Sequence, residues 1–299
     1  MYHLATVLPA IRRFRLPLTR DQLMLLMMAV NEIFLGIDTY LAHSISGTIR
    51  PNEWIPIIFG PIAGVLLLVA GLIALKRRPL ATIIAMLVLL ASTVVGLLGT
   101  YFHFIRAILP YAPAGQQASL NMIVWAPPFL GPLTFALVGL LGISAVWVED
   151  PPDSGKLTLL GGRRLPLPYS KTRAYFLIVG MGILATVISS VLDHARTGFV
   201  NPWLWVPTAT GVFGVVVAVM LGLLNTPSRA DLIIYTATMF LLIGVGMVGA
   251  VLHINDNLSL STMVIERFIR GAPVLAPLLF ANMGSLGLIV LLDASETAS

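Results

Sequence analysis

Three stretches of this sequence recur some way downstream with their rarest residues at matched spacing. His43, Gly47, Pro51, Trp54 and Pro56 are answered by His194, Gly198, Pro202, Trp205 and Pro207, an offset of 151. Gly96, Gly99 and His103 are answered by Gly246, Gly249 and His253, an offset of 150. Pro128, Pro132, Phe135, Ala136, Gly139 and Gly142 are answered by Pro273, Pro277, Phe280, Ala281, Gly284 and Gly287, an offset of 145. Self-similarity of this length, in the same order along the chain, marks a duplicated structural unit. Whatever fold one half takes, the other has to take as well.

The solvent of that fold follows from composition. The chain is 58% hydrophobic and 10% charged, against about 25% charged in soluble domains. Eight apolar stretches, near 22–43, 54–75, 80–104, 124–148, 174–194, 203–225, 231–254 and 272–293, each approach the roughly 20 residues that cross hydrocarbon. Backbone polar groups in lipid have to bond within their own segment, so these stretches are expected to be helices. The expected fold is an all-α integral membrane protein, with eight transmembrane helices as two tandem four-helix repeats. An even number of spans per unit inserts both copies the same way up, so the repeat is parallel. The units are 22–148 and 174–293, joined by a polar, Gly- and Pro-rich linker over 149–173 and flanked by tails 1–21 and 294–299.

Charge sets the expected orientation. Of 18 Lys and Arg residues, Arg50, Arg106, Arg196, Arg267 and Arg270 fall in the odd-numbered connections. The others, among them Arg12, Arg13, Arg15, Lys76, Arg77, Arg163 and Arg164, fall in the tails and even-numbered connections. That excess marks the cytoplasmic side, placing both termini there, in a cytoplasmic membrane. Trp54, Trp203 and Trp205 then lie at the outer interface. The first apolar stretch is longer than a signal-peptide core and has a counterpart in mid-chain, so it reads as a retained helix. The net charge of +5 is confined to short connections, which points away from a nucleic-acid partner and towards the bilayer. Cysteine is absent, which excludes disulfides, thiolate metal sites and Cys nucleophiles.

Four of the five histidines occupy repeated positions, all at the outer ends of odd-numbered spans. In an up-and-down four-helix bundle, helices one and three are diagonal across the core. His43 is thus expected to face His103, and His194 to face His253. Imidazoles on facing helices are the arrangement that bis-His ligation of haem b, or of a transition metal, needs. Gly96 and Gly99, with Gly246 and Gly249, lie on the faces of His103 and His253, where they admit a flat macrocycle or another helix. The alternative is a set of interfacial histidines that merely bond loops and helix ends. His3 has no repeat partner and is assigned nothing.

Within the first span, Glu32, Thr39 and His43 share one helix face, a line from mid-depth to the outer surface. Glu32 and Asp38 are candidates for a proton path; a neutral Glu32 bonded to a neighbour such as Asn282 is the other reading. Their repeat counterparts are Ile183 and Ser189, so the halves differ here. Asp193, beside His194, is a candidate to orient that ring, the other reading being a side chain that faces headgroups. The Gly-Pro-Trp-Pro loops read as fixed turns into the next helix. No nucleotide-binding or hydrolase motif is present. Three functions remain. One is a haem b or metal-binding redox subunit near the outer face, exchanging electrons with a quinone or a periplasmic partner. Another is a transporter or channel between the halves. The third is a scaffold subunit of a membrane complex.

Overall fold

The computed structural model describes residues 4–13, 17–45, 47–259 and 263–292. His3, Arg15, Ser46 and the tail 294–299 lie outside them, as do the side chains of Arg12 and Arg13. After a single turn α1 (Leu4–Val7), whose Leu4 amide bonds the Leu291 carbonyl, comes α2 (Arg20–Ser44). Its start is a capping box: Thr19 accepts from the Gln22 amide, and Gln22 accepts from the Thr19 amide. Then follow α3 (Trp54–Ala74), α4 (Arg78–Phe104), the short α5 (Leu120–Trp125) and α6 (Leu130–Val146). The second half has α7 (Lys171–Ala195), α8 (Trp205–Leu223), α9 (Arg229–Ser259), the short α10 (Val264–Arg270) and α11 (Leu275–Val290).

Six of these helices, namely α2, α3, α4, α7, α8 and α9, are long and apolar enough to cross a bilayer. The pair α10 and α11, bent by 62°, makes a seventh if taken as one span. The expected span 124–148 is divided. Pro127 and Pro128 lie between α5 and α6 and remove two backbone donors, leaving α6 with 17 residues. At 1.5 Å per residue that is about 26 Å, just short of the hydrocarbon thickness. Large apolar side chains such as Phe34, Leu72, Leu87 and Val248 stand exposed around the helices, as a lipid solvent requires. The chain is a multi-pass helical membrane protein.

The helices pack as two closed rings. In one, α2 lies against α3, α3 against α4, α4 against α6 and α6 against α2. In the other, α7, α8, α9 and α11 follow each other in the same way. The rings join through α6 against α7 and α11 against α2. Small residues set the helix spacing. A Cβ on Gly60 would lie 2.5 Å from the Glu32 carbonyl, and one on Gly284 would lie 2.5 Å from the Met239 carbonyl. One continuous apolar core runs through both rings, from Met24 and Leu89 to Tyr175, Met239 and Leu286.

The linker carries structure that its composition conceals. It folds into a three-stranded antiparallel sheet of β1 (Val148–Glu149), β2 (Lys156–Thr158) and β3 (Arg164–Pro166), with Glu149 opposite Leu157 and Leu157 opposite Leu165. Gly161 and Gly162 turn the chain between β2 and β3 at φ of 77° and 74°.

Candidate functional site

The loop after α2 explains how the histidine end is built. Gly47 and its counterpart Gly198 take positive φ, 76° and 66°, a backbone region that side chains disfavour. Pro51 and Pro202 then open short 3-10 turns that lead straight into α3 and α8 at Trp54 and Trp205. These are fixed turns, as the spacing predicts.

The His43 and His103 rings meet edge to face, with centroids 5.9 Å apart and planes at 62°. His43 donates from Nδ1 to the Thr39 carbonyl at 2.8 Å, and His103 donates from Nδ1 to the Pro128 carbonyl at 3.0 Å. A carbonyl only accepts, so each neutral ring carries its proton on Nδ1, and Nε2 is the basic nitrogen. Around the pair lies a charged fringe absent from the sequence-based reading. Glu53 holds Arg106 at 3.5 Å and accepts from the Arg50 amide at 2.8 Å.

The second ring shows part of the same pattern. His253 donates from Nδ1 to the Pro273 carbonyl at 2.8 Å, matching His103 and Pro128. His194 lies within electrostatic range of His253. Its ring contact is instead with Phe199, at 6.2 Å, which stacks on Trp205 at 4.5 Å. Nδ1 of His194 is 3.3 Å from the Ser190 hydroxyl, while Asp193 pairs with Arg196 at 3.9 Å. Ser190 therefore takes the orienting role expected of Asp193.

The glycines that admitted either a macrocycle or a helix have a helix against them. A Cβ on Gly96 would lie 3.0 Å from the Pro132 carbonyl and 3.0 Å from the Ala136 Cβ; one on Gly99 would lie 2.7 Å from Pro132. Gly246 and Gly249 meet Pro277 and Ala281 in the same manner. Among the described residues, no group of three or more His, Asp or Glu side chains converges as a metal site.

Halfway along α2, Glu32 is fully buried. Its partner is Ser92 on α4, not Asn282; the Ser92 hydroxyl also reaches the Phe135 carbonyl on α6 at 2.8 Å. Ser92 precedes His103 by eleven residues, as Glu32 precedes His43, so the two facing helices carry two polar rungs at matched depths. Thr39 is turned to its own backbone, donating to the Leu35 carbonyl at 2.7 Å. Asp38 lies about 120° around α2 from Glu32, on an exposed face, and the structure does not bring the two together.

At the opposite end, a buried charge cluster joins the rings. Lys171 donates to Asp21 and to the Trp147 carbonyl, and Tyr175 donates to Asp21 at 3.1 Å. Arg20 donates to the Thr172 hydroxyl at 2.6 Å, which in turn donates to Asp153 at 2.6 Å. Glu149 accepts from the amides of Asp153, Gly155 and Lys171 at 3.1, 2.7 and 2.9 Å, tying the linker sheet to the start of α7. No sequence motif announces this cluster; its members are scattered over more than a hundred positions. Comparison of the chain with family models, with curated proteins and with solved structures finds no match.

Proposed function

We propose that this chain is a metal-binding redox subunit of the cytoplasmic membrane, with its principal site between His43 and His103 near the outer face. In this reading it has eight spans in two parallel copies, with both termini cytoplasmic. Two closed helix rings, and the matching His103–Pro128 and His253–Pro273 hydrogen bonds, support the duplication. The observation that carries the functional reading is the ring pair at 5.9 Å with Nδ1 of both imidazoles anchored to backbone carbonyls. Anchoring of that kind fixes ring orientation and assigns ligation to Nε2. A metal ion would be held by His43 and His103 through Nε2.

The bound group is a transition-metal ion of the imidazole-preferring class, or the iron of haem b. Pro132 and Ala136 occupy the space beside Gly96 and Gly99, so those glycines would not line a macrocycle. Such a group would exchange electrons with a quinone or a periplasmic partner. The test is metal analysis with an optical spectrum of the purified full chain, wild type against the His43→Ala/His103→Ala double variant. Bound metal or a Soret band that the double variant loses supports the proposal. Wild-type protein with neither, after growth with iron, copper and zinc, overturns it.

A transporter is the second reading, favoured by breaks at corresponding places before α6 and α11. It requires a polar path between the rings. The apolar core that crosses their junction and the charge cluster closing one end weigh against it.

A further inference from the structure

We propose that Glu32 and Ser92 form a proton-binding site halfway through the first ring, where Glu32 stands as a neutral carboxylic acid. The inference is independent of metal at the histidine pair. It begins with a count of hydrogens. The Ser92 hydroxyl lies within hydrogen-bond reach of two acceptors, a Glu32 carboxyl oxygen and the Phe135 carbonyl. Two hydrogen bonds need two hydrogens, and Ser92 brings one. The second sits on Glu32, which donates to Ser92, while Ser92 donates to the Phe135 carbonyl.

The surroundings supply no alternative charge. Glu32 is 0% exposed, and its other oxygen, Oε2, has no partner among the described residues. A neutral carbonyl oxygen tolerates that position far better than a carboxylate, which would be buried without a counter-ion. The helices packed on α2, namely α3, α6 and α11, contain no ionisable side chain. On α4 the ionisable groups are Arg78, Tyr101 and His103, the first and last about 21 and 16 Å along the helix from Ser92. Glu266, Arg267 and Arg270 belong to α10, at the histidine end. On α2 itself, Asp38 is on another face, His43 is three turns away, and Arg20 and Asp21 belong to the far cluster. Three converging oxygens are too few for a hard metal cation, which takes six or more.

The site exists in one copy only. The counterparts of Glu32 and Ser92 are Ile183 and Leu242, both fully buried and apolar. A duplicated scaffold whose second copy packs hydrocarbon at this point has no structural need for an acid in the first. Glu32 is thus a proton store whose helix face continues to Thr39 and His43.

Infrared difference spectroscopy of the full chain in lipid at neutral pH tests this, comparing wild type with Glu32→Gln and with Ser92→Ala. The expected result is a protonated-carboxyl stretch that is lost in Glu32→Gln and shifts to higher frequency in Ser92→Ala, where its hydrogen-bond partner is gone. Ser92→Ala carries the test alone should Glu32→Gln not fold. A wild-type-minus-Gln spectrum showing the paired carboxylate stretches overturns the proposal, as does an acid band that ignores Ser92→Ala. Spectra in sodium and in potassium form the last arm: an acid band that sodium converts to carboxylate assigns the site to a sodium ion and overturns it equally.

Discussion

Gly96→Ala tests whether the glycine faces are helix seats. The added Cβ would lie 3.0 Å from both the Pro132 carbonyl oxygen and the Ala136 Cβ, and nearer still to the Ala136 amide nitrogen. These belong to the backbone and first side-chain atoms of α6, so no flexible side-chain end can swing aside. Nor can α6 slide readily, since Gly139 and Gly142 press it against Leu89 and Thr93. Overpacking of this kind costs about 1–3 kcal/mol. The same substitution at Gly71 in α3 or Gly244 in α9 meets nothing within 4 Å. All of these substitutions share the propensity gain of Ala over Gly, about 1 kcal/mol, so the contrast between the two classes isolates the overpacking. In thermal unfolding at one scan rate and in one detergent, Gly96→Ala should melt about 2–6 °C below Gly71→Ala, at about 2 °C per kcal/mol for a chain of this size. Gly246→Ala, whose Cβ would lie 2.5 Å from the Ala281 nitrogen and 2.8 Å from the Pro277 carbonyl, should fall by the same amount. Equal melting of Gly96→Ala and Gly71→Ala would refute the seating of α6. A large loss at Gly96 with none at Gly246 would refute the proposed duplication.

Asp21→Leu should cost about 3–5 kcal/mol, since it strands two buried cations, Lys171 and Arg20, whereas Lys171→Met leaves Asp21 its contacts with Arg20 at 3.6 Å and Tyr175 at 3.1 Å and should cost less; equilibrium unfolding of the two variants measures it. Asn257, fully buried, accepts from the Ala272 amide at 2.7 Å and donates to its carbonyl at 2.9 Å. Asn257→Ala should therefore cost about 1–3 kcal/mol for each group left unpaired, read by the same melts. Glu149→Ala removes the acceptor of three backbone amides, and limited proteolysis should then cut within 150–170 at least tenfold faster than in wild type.

Sequence spacing made some of this legible and concealed the rest for identifiable reasons. Rare residues at a fixed offset report a repeat without any contact being known, which is why the pairing of His43 with His103 could be foreseen. The diagonal placement of helices one and three followed from connection lengths alone, and the rings have that arrangement. Partners across helices were less accessible. Glu32 had several polar candidates at comparable depth, and choosing Ser92 over Asn282 needs helix rotations that hydropathy does not encode. The linker strands, two or three residues each, are too short to display an alternating period. Arg20, Asp21 and Lys171 sit at span ends, where charges ordinarily serve as topology signals in water. Their burial depends on α2 and α7 starting side by side, a contact between residues 150 apart.

What separates the two rings is where each holds polar groups. At the histidine end of the first, Glu53 and Arg106 surround the imidazole pair; their counterparts are Leu204 and Asp256, and the second copy there stacks Phe199 on Trp205 beside His194. At mid-depth the first has Glu32 and Ser92 where the second has Ile183 and Leu242. Polar groups inside a membrane protein are costly to hold and drift towards hydrocarbon when nothing requires them. At mid-depth the difference is a buried acid against apolar packing, whereas at the histidine end both rings keep an ion pair, Glu53–Arg106 in the first and Asp193–Arg196 in the second. The second ring grips the first through α7 and α11 and through the Asp21–Lys171 pair.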